Sequence, residues 1–287
     1  MDCGPTTAQR MQLYERCAAA LACEASQSAL ENAAIPADRV THLVTISCTG
    51  FAAPGVDLQI IEQLGLSAEV ARTHVGFMGC HGAMNGLRVA RAFAESDPQA
   101  CVLLCAVELC SLHQQYGWHP ERIVANALFA DGSAAVVGKG CPAEAPLPWR
   151  LVSSGSTILP HSADLMSWRI GDHGFEMTLS PRVPEVIRRE LCDWLQQWLS
   201  QAGLQIGNIC SWVIHPGGPR ILKACAETLG LSDAQLRPSQ KVLAEFGNMS
   251  SPTVLFILER LMQADASRPC VMLAFGPGLT IEAALLL

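Results

Sequence analysis

Charged residues are scarce in this sequence of 287 residues, because only 16% of them are Asp, Glu, Lys or Arg. Acidic residues outnumber basic ones, which gives a formal charge of −7 and an isoelectric point near 5.6. The sequence also has no run of basic residues. Proteins that bind nucleic acid in general carry basic patches, so this composition argues against a nucleic-acid partner.

Long apolar runs are missing as well. No stretch reaches about 18 consecutive apolar residues, the length that a membrane-spanning helix requires. Near the start of the chain, Arg10, Glu15, Arg16 and Glu24 interrupt the apolar positions, unlike the apolar core of a signal peptide. We therefore expect neither a membrane span nor a secretion leader.

The cysteines lack the spacing of a metal site or a disulfide framework. There are 13 of them, but no CxxC pair and no cluster of Cys with His. This pattern argues against structural zinc. An odd number of dispersed thiols is typical of a protein in a reducing cytoplasm, where most of these side chains would be inert core residues.

Apolar residues, by contrast, make up 50% of the chain, enough for a large core and for a subunit that also buries surface against a partner. Strand-length apolar runs alternate with segments of helical periodicity, which indicates an α/β fold with parallel sheets covered by helices. We predict helices over 8–33, 57–64, 83–95, 181–202 (opening with Pro181), 217–229 and 251–264, and strands over 40–48, 72–77, 100–108, 133–138, 210–215, 270–275 and 280–287.

Two segments resemble each other across the chain. FADGSAAVV (129–137) and FGPGLTIEAAL (275–285) each join an aromatic residue, a glycine turn and a strand of small residues. The similarity is slight, but it would suit a duplicated core. Residues 140–149, which are rich in proline, are the best candidate for an exposed loop.

Cys80 is the first candidate for chemistry. It lies between an apolar strand and a helix and is flanked by Gly79 and Gly82. A glycine turn there would raise the thiol to the helix N-terminus, where the dipole lowers the thiolate pKa and backbone N–H groups can face an oxyanion. A buried, inert core cysteine is the alternative.

His215 and Asn248 are the next candidates. His215 ends a predicted strand in WVIHPGGP, at the carboxyl edge of the sheet, where α/β proteins build their sites. Asn248 lies in GNMSSPTVLF, just ahead of a helix that it could simply cap. Together with Cys80, these residue types suit a decarboxylative Claisen condensation. The thiolate carries the acyl group, and the imidazole and amide stabilise the thioester oxygen, with no metal or redox cofactor.

From about residue 40 onward the sequence resembles the type III polyketide synthases, the chalcone synthase-like members of the thiolase superfamily. The similarity rests on VTHLV, GCHGAMNGLRVA, ALFADGSAAVVG, VIHPGGP, GNMSSPTVLF and FGPGLT, in the family's order. It implies a thiolase-like α/β fold of duplicated βαβαβ halves, with helices between and around two mixed sheets. The halves would cover 1–150, with the nucleophile, and 151–287, with His and Asn. It also implies a cytoplasmic homodimer that takes acyl-CoA and malonyl-CoA as substrates and binds no cofactor.

The resemblance also assigns roles to residues. Cys80 matches the acylated nucleophile, and His215 and Asn248 match its partners. Phe129 matches an aromatic gatekeeper, Met177 stands where plant members have a second Phe, and Arg220 matches a residue at the mouth of the CoA tunnel. The remaining positions match the cavity wall and its loop: Cys48, Ala53, Glu108, Cys110, His113, Ser250, Gly276, Pro277 and Gly278. Small residues at Cys48, Ala53 and Cys110 would leave room for an extended acyl chain.

One departure from the family concerns length, since the chain begins inside the family's N-terminal half. We therefore expect the first strand–helix units, with the basic residues that grip CoA phosphates, to be missing. Two alternatives stay open at this point. One is a β-ketoacyl synthase that performs a single condensation with a carrier protein, against which the HPGGP turn and the acidic isoelectric point both argue. The other is an inactive homologue that serves as a dimer partner.

Overall fold

The protein is described by a computed structural model, which covers residues 3–141 and 149–287. The α-helices are α1 (Thr7–Asn32), α2 (Val56–Leu64), α3 (Gly82–Ser96), α4 (Pro120–Leu128), α5 (Val183–Ser200), α6 (Pro219–Leu229), α7 (Asp233–Phe246) and α8 (Thr253–Gln263). The strands are β1 (His42–Ser47), β2 (Ala71–Gly76), β3 (Cys101–Leu109), β4 (Asp131–Lys139), β5 (Leu151–Ile158), β6 (Met166–Gly171), β7 (Gly174–Leu179), β8 (Ser211–Ile214), β9 (Cys270–Gly276) and β10 (Thr280–Leu286).

Every helix and strand predicted from the sequence is present, with ends that differ by a few residues. Pro181 does not open its helix, because α5 begins at Val183 and has Pro184 in its first turn. Five elements escaped prediction, namely α4, α7, β5, β6 and β7. Helix α7 contains Pro238 in its interior, a residue that normally ends a helix. Most of the loop predicted over 140–149 lies outside the described residues.

Two four-stranded sheets form the framework. The first has the order β2-β1-β3-β4, in which β1 pairs parallel with β2 and β3, and β4 closes the sheet antiparallel to β3. The second has the order β5-β10-β9-β8, with β8 parallel to β9 and β10 antiparallel to β9. A separate hairpin pairs β6 with β7. Both sheets are mixed, as the resemblance implied.

Three hydrophobic clusters connect the sheets to the helices. Helices α3 and α8 contribute Met84, Leu87, Val254 and Leu258 to a cluster that also contains side chains of both sheets, so these helices lie between the sheets. Helix α1 packs on the outer face of the first sheet. Helices α5 and α6 pack on the outer face of the second. Burial of these faces is the main stabilising contribution to the fold.

The two sheets repeat one arrangement. In each, a parallel strand pair (β1 and β3, or β8 and β9) is followed by a final antiparallel strand (β4 or β10). The two segments that resemble each other in sequence supply these final strands. The central helices α3 and α8 begin just after Cys80 and Asn248. The duplicated core therefore brings two catalytic candidates from distant parts of the chain to the same layer.

Candidate active site

The turn that carries Cys80 has an unusual backbone. Gly79 has φ of +74°, and a side chain there would also lie 2.7 Å from Pro277. Glycine is required on both counts, because other residues rarely adopt this conformation. Phe77 has φ of +60° without being glycine, which costs on the order of 1–3 kcal/mol. Residues Gly79–His81 form a 3-10 turn that leads directly into α3.

The sulfur of Cys80 has two polar neighbours from the turn before α8. The Ser250 hydroxyl donates to it at 3.6 Å, and hydrogen bonding by the Asn248 side chain lowers the pKa of the thiol. The Oδ1 atom of Asn248 accepts from the Ser250 backbone N–H at 2.9 Å. The Nδ2 group is therefore the end of the amide that faces the sulfur, where it can donate to a thioester oxygen. Asn248 is not the cap of α8, because Pro252 holds that position and the Asn248 oxygen accepts from Ser250, which precedes the helix.

His215 is held in the same layer by β9. Its backbone N–H donates to the Leu273 carbonyl at 2.8 Å, and only 1% of the residue is exposed. Neither ring nitrogen has a hydrogen-bond partner within the part of the chain that the structure describes. A buried imidazole without partners is costly, and in an enzyme such a group is available to the substrate.

Burial dominates the protonation of this pair. It raises the pKa of Cys80 to about 11, and the hydrogen bonds from Ser250 and Asn248 offset this only in part. Burial, together with charge on His81, lowers the pKa of His215 to about 3. The thiol pKa is therefore raised and not lowered as expected at the helix N-terminus, because loss of solvation is the largest effect on it. At neutral pH the pair rests as a thiol and a neutral imidazole.

A buried carboxyl group lies behind the thiols. Glu108 is fully buried and accepts hydrogen bonds from the Cys48 backbone N–H (2.9 Å), the Thr49 hydroxyl (2.7 Å) and the Ser251 hydroxyl (2.7 Å). Burial raises the pKa of Glu108, and these donors lower it in part. Glu108 fixes the segment around Cys48, whose thiol lies 3.4 Å from the Ser250 hydroxyl. The Ser250 hydroxyl thus lies between the sulfurs of Cys48 and Cys80.

A small cavity of about 60 Å³ opens in front of Cys80. Its wall includes many of the residues matched to the family, which are Cys48, Cys110, His113, Phe129, Met177, Ser250 and Pro277. The backbone on either side of Phe129 is hydrogen-bonded to the backbone of Asn248. The Ala130 N–H donates to the Asn248 carbonyl, and the Asn248 N–H donates to the Leu128 carbonyl, both at 2.9 Å.

The other predicted site residues do not line this cavity. His215, Asn248 and Glu108 are buried and are not among the residues that line it. Ala53 is exposed at the surface, and Arg220 is exposed at the start of α6, where its Nη2 lies 3.5 Å from the Pro181 carbonyl. Of the loop Gly276–Gly278, only Pro277 reaches the cavity.

Sequence reasoning missed the hairpin that covers the cavity. One face of β6 and β7 lines it with Met166, Trp168, Phe175 and Met177. The Trp168 indole donates to the Cys48 carbonyl at 2.7 Å. The signal was present in the alternation of MSWRIG and GFEMTL around Gly171–Gly174, a pattern that is typical of a hairpin.

His113 connects this hairpin to the first sheet. Its ring stacks on Phe175 with centroids 4.1 Å apart. Its Nε2 donates to the Thr49 carbonyl at 2.7 Å, and its Nδ1 accepts from the Phe175 N–H at 2.9 Å. Both nitrogens are thus used by the neutral ring, and burial lowers the pKa of His113 to about 4. The N-terminus of α1 fixes the hairpin tip, because the Thr7 hydroxyl donates to the Gly171 carbonyl.

The chain matches the chalcone and stilbene synthases over both of their domains, the N-terminal domain over residues 1–142 and the C-terminal domain over 150–287. It belongs to this family. One relative is the alpha-pyrone synthesis polyketide synthase-like Pks18 of Mycobacterium tuberculosis, 37% identical over 96% of this chain and 72% of that protein. Another is the 1,3,6,8-tetrahydroxynaphthalene synthase of Streptomyces peucetius, 38% identical over 93% of this chain and 72% of that protein.

Solved structures agree with this assignment. The polyketide synthase PKS-I of the brown alga Ectocarpus siliculosus superposes with a TM-score of 0.95 and 32% identity, over 99% of this chain and 78% of that one. The fold is therefore that of the thiolase-like type III polyketide synthases, and the chain is an acyl-transferring, condensing enzyme. The relatives support this function and not the ketoacyl synthase alternative. Among the described residues, no helix is long and apolar enough to cross a membrane.

Proposed function

We propose that this type III polyketide synthase loads a short acyl group from acyl-CoA onto Cys80 and extends it with malonyl-CoA. His215 and Asn248 assist decarboxylation, and the extended chain cyclises to a pyrone, resorcinol or phloroglucinol-type product. The observation that carries the proposal is the Ser250 hydroxyl, which reaches the Cys80 sulfur at 3.6 Å from the turn that also holds the buried Asn248 in the other half of the chain.

The chemistry of these three side chains supports the following steps. The sulfur of Cys80 attacks the thioester carbonyl as His215 takes the thiol proton, and CoA leaves as its thiol after receiving that proton. Malonyl-CoA then loses carbon dioxide, and the electron pair of the broken C–C bond stays on the α-carbon as an enolate. The Nδ2 group of Asn248 donates to the enolate oxygen. The α-carbon attacks the acyl carbonyl, a C–C bond forms, and the C–S bond to Cys80 breaks.

The size of the cavity supports a short starter. A cavity of about 60 Å³ holds only a few water molecules. Small residues at Cys48 and Cys110 suggested room for an extended chain, but the Trp168 indole covers the Cys48 carbonyl. We therefore assign a starter of a few carbon atoms and treat Trp168 as the wall that limits its length.

Substrate binding, assembly and location belong to the same proposal. We propose that Arg220, exposed at the start of α6, meets the phosphates of CoA. The twelve cysteines from Cys17 to Cys270 are free thiols, which suits a cytoplasmic enzyme. The exposed side chains of Phe51 and Met78 suit a homodimer interface near β2. No resident cofactor enters the steps above, since CoA thioesters are the substrates.

The nucleophile assignment is tested by Cys80→Ala. Incubated with radiolabelled acetyl-CoA, the parent should retain covalent label and the variant none, while the variant keeps part of the malonyl-CoA decarboxylation that His215 and Asn248 support. Cys225→Ala, which removes a buried thiol of α6, is the matched control and should label normally. Undiminished labelling of Cys80→Ala would refute the assignment.

A further inference from the structure

His81, the residue after the nucleophile, is held in a network that the proposed chemistry does not use. Only 2% of the residue is exposed, and its Nδ1 lies 2.7 Å from Oδ1 of Asn85, one turn further along α3. The Nδ2 of Asn85 donates in turn to Oε1 of Glu282 on β10, at 3.1 Å. A line of hydrogen bonds therefore runs from a carboxylate on the second sheet to the turn that carries Cys80.

These hydrogen bonds determine which ring nitrogen of His81 carries the proton. The carboxylate of Glu282 can only accept, and a reversed Asn85 amide would place its oxygen against that carboxylate. Oδ1 of Asn85 therefore faces His81, and Nδ1 of the ring must carry the hydrogen. A neutral imidazole has one N–H, so Nε2 is left with a lone pair. Glu282 is itself buried and is held by Arg88 and by the Ser156 hydroxyl, which donates to Oε1 at 2.8 Å.

The opposite edge of the ring packs against the loop Gly276–Gly278. The Cδ2–Nε2 edge of His81 abuts Gly276 so closely that a methyl group on Gly276 would overlap it. The same turn contacts Pro277 through Gly79. The position of the His81 ring thus sets the distance between the Cys80 turn and the loop Gly276–Gly278, whose Pro277 lines the cavity.

His81 also shares an environment with the catalytic base, because positive charge on His81 opposes protonation of His215. The charged and titratable groups around His81 are Cys80 on its own turn, Arg88 on α3, Glu282 on β10 and His215 after β8. A neutral His81 leaves His215 free to take the thiol proton, since two adjacent imidazolium groups repel each other.

We propose that Glu282, Asn85 and His81 form a positioning relay that holds His81 as the neutral Nδ1–H tautomer and thereby orients Cys80 and His215 for acyl transfer. The inference rests on the proposed role of Cys80 as nucleophile. His81 acts through its neighbours and is a positioning residue. A displacement of reacting groups by about 1 Å can slow a reaction by a factor of up to about 100.

The chain offers a matched pair of variants. Asn85→Leu keeps the side-chain volume but breaks the line between Glu282 and His81. Ser156→Ala removes another hydrogen bond to the same oxygen of Glu282 and leaves that line intact. CoA release in a single turnover with acetyl-CoA measures acyl transfer. We expect roughly a tenfold slower rate for Asn85→Leu and a rate near the parent's for Ser156→Ala. Thermal unfolding should register a similar loss for both.

The tautomer of His81 provides a further measurement, because it would not change if the relay residues only stabilised the fold. In protein labelled with ¹⁵N-histidine, multiple-bond ¹H–¹⁵N correlations distinguish Nδ1–H from Nε2–H, and the loss of one signal set in His81→Gln assigns His81. The parent should show Nδ1–H, and Asn85→Leu should lose that preference. An Nε2–H tautomer in the parent, or equal slowing by both variants, would overturn the relay. Labelling of Cys80→Ala would instead refute the nucleophile, whatever the tautomer of His81.

Discussion

Burial determines the protonation states of single residues in the site. The same loss of solvation that raises the pKa of Cys80 lowers the pKa values of His113 and His215. The proposed nucleophile and base, both neutral at rest, cost less to bury than an ion pair. In the proposed mechanism they charge when the proton moves, and Asn248 and Ser250 then supply the hydrogen bonds that solvent would have given.

Stability against acid should depend on His113. Its pKa is about 6.5 when unfolded and about 4 when folded, so the neutral ring stabilises the fold. That contribution is complete above pH 6.5 and is lost as the pH falls towards 4, amounting to roughly 3 kcal/mol. Urea unfolding should show the stability difference between the parent and His113→Gln shrinking by this amount between pH 6.5 and 4. A constant difference would contradict the assignment, and the exposed His119→Gln is the control.

Among the secondary-structure elements, the β6–β7 hairpin decides the shape of the cavity. It belongs to neither sheet and is fixed by particular contacts: Thr7 at its tip, His113 at Phe175, and the Trp168 indole at Cys48. Its aromatic face closes the space that small residues of the first sheet leave open. An element of this kind can change between relatives without disturbing the sheets.

Removing the indole should change the choice of starter. Trp168→Gly would open the wall, and each further methylene accommodated in an apolar site contributes about 1 to 3 kcal/mol. We expect kcat/KM for hexanoyl-CoA relative to acetyl-CoA to rise at least roughly tenfold. Trp118→Gly, at a side chain that is 91% exposed, should leave this ratio unchanged. An unchanged ratio in a folded Trp168→Gly enzyme would show that the wall lies elsewhere.

At the scale of the whole molecule, the surface beside β2 carries an exposed aromatic side chain. β2 is an edge strand of the first sheet, and Phe51 lies over its last residue, Gly76, while remaining 41% exposed. Ala53 is exposed close by in the sequence, although the family resemblance places it at a cavity. A second copy of the chain packed on this surface would account for both facts.

Assembly should therefore be sensitive to charge at Phe51. Phe51→Glu would bury a carboxylate in the proposed interface, and we expect at least roughly tenfold weaker dimerisation, measured by analytical ultracentrifugation. Met262→Glu is the matched control, because Met262 is 46% exposed on α8 and lies outside this surface. Equal dissociation of the two variants, or a parent that is monomeric at all concentrations, would exclude this interface.

The division of the chain into two halves at residue 150 stays a prediction.

The sequence by itself determined the alternation of strands and helices, because periodicity reports which residues are buried and acts over short distances. It also singled out Cys80, His215 and Asn248, since each lies in a turn whose glycine or proline content is visible locally. What it could not determine depends on contacts between distant segments. Trp168 closes the cavity over Cys48, which is 120 residues away in the sequence, and Asn85 hydrogen-bonds to Glu282, which is 197 residues away. The protonation of the Cys80 thiol also depends on tertiary structure, because its pKa is set by how completely the fold excludes water from the sulfur.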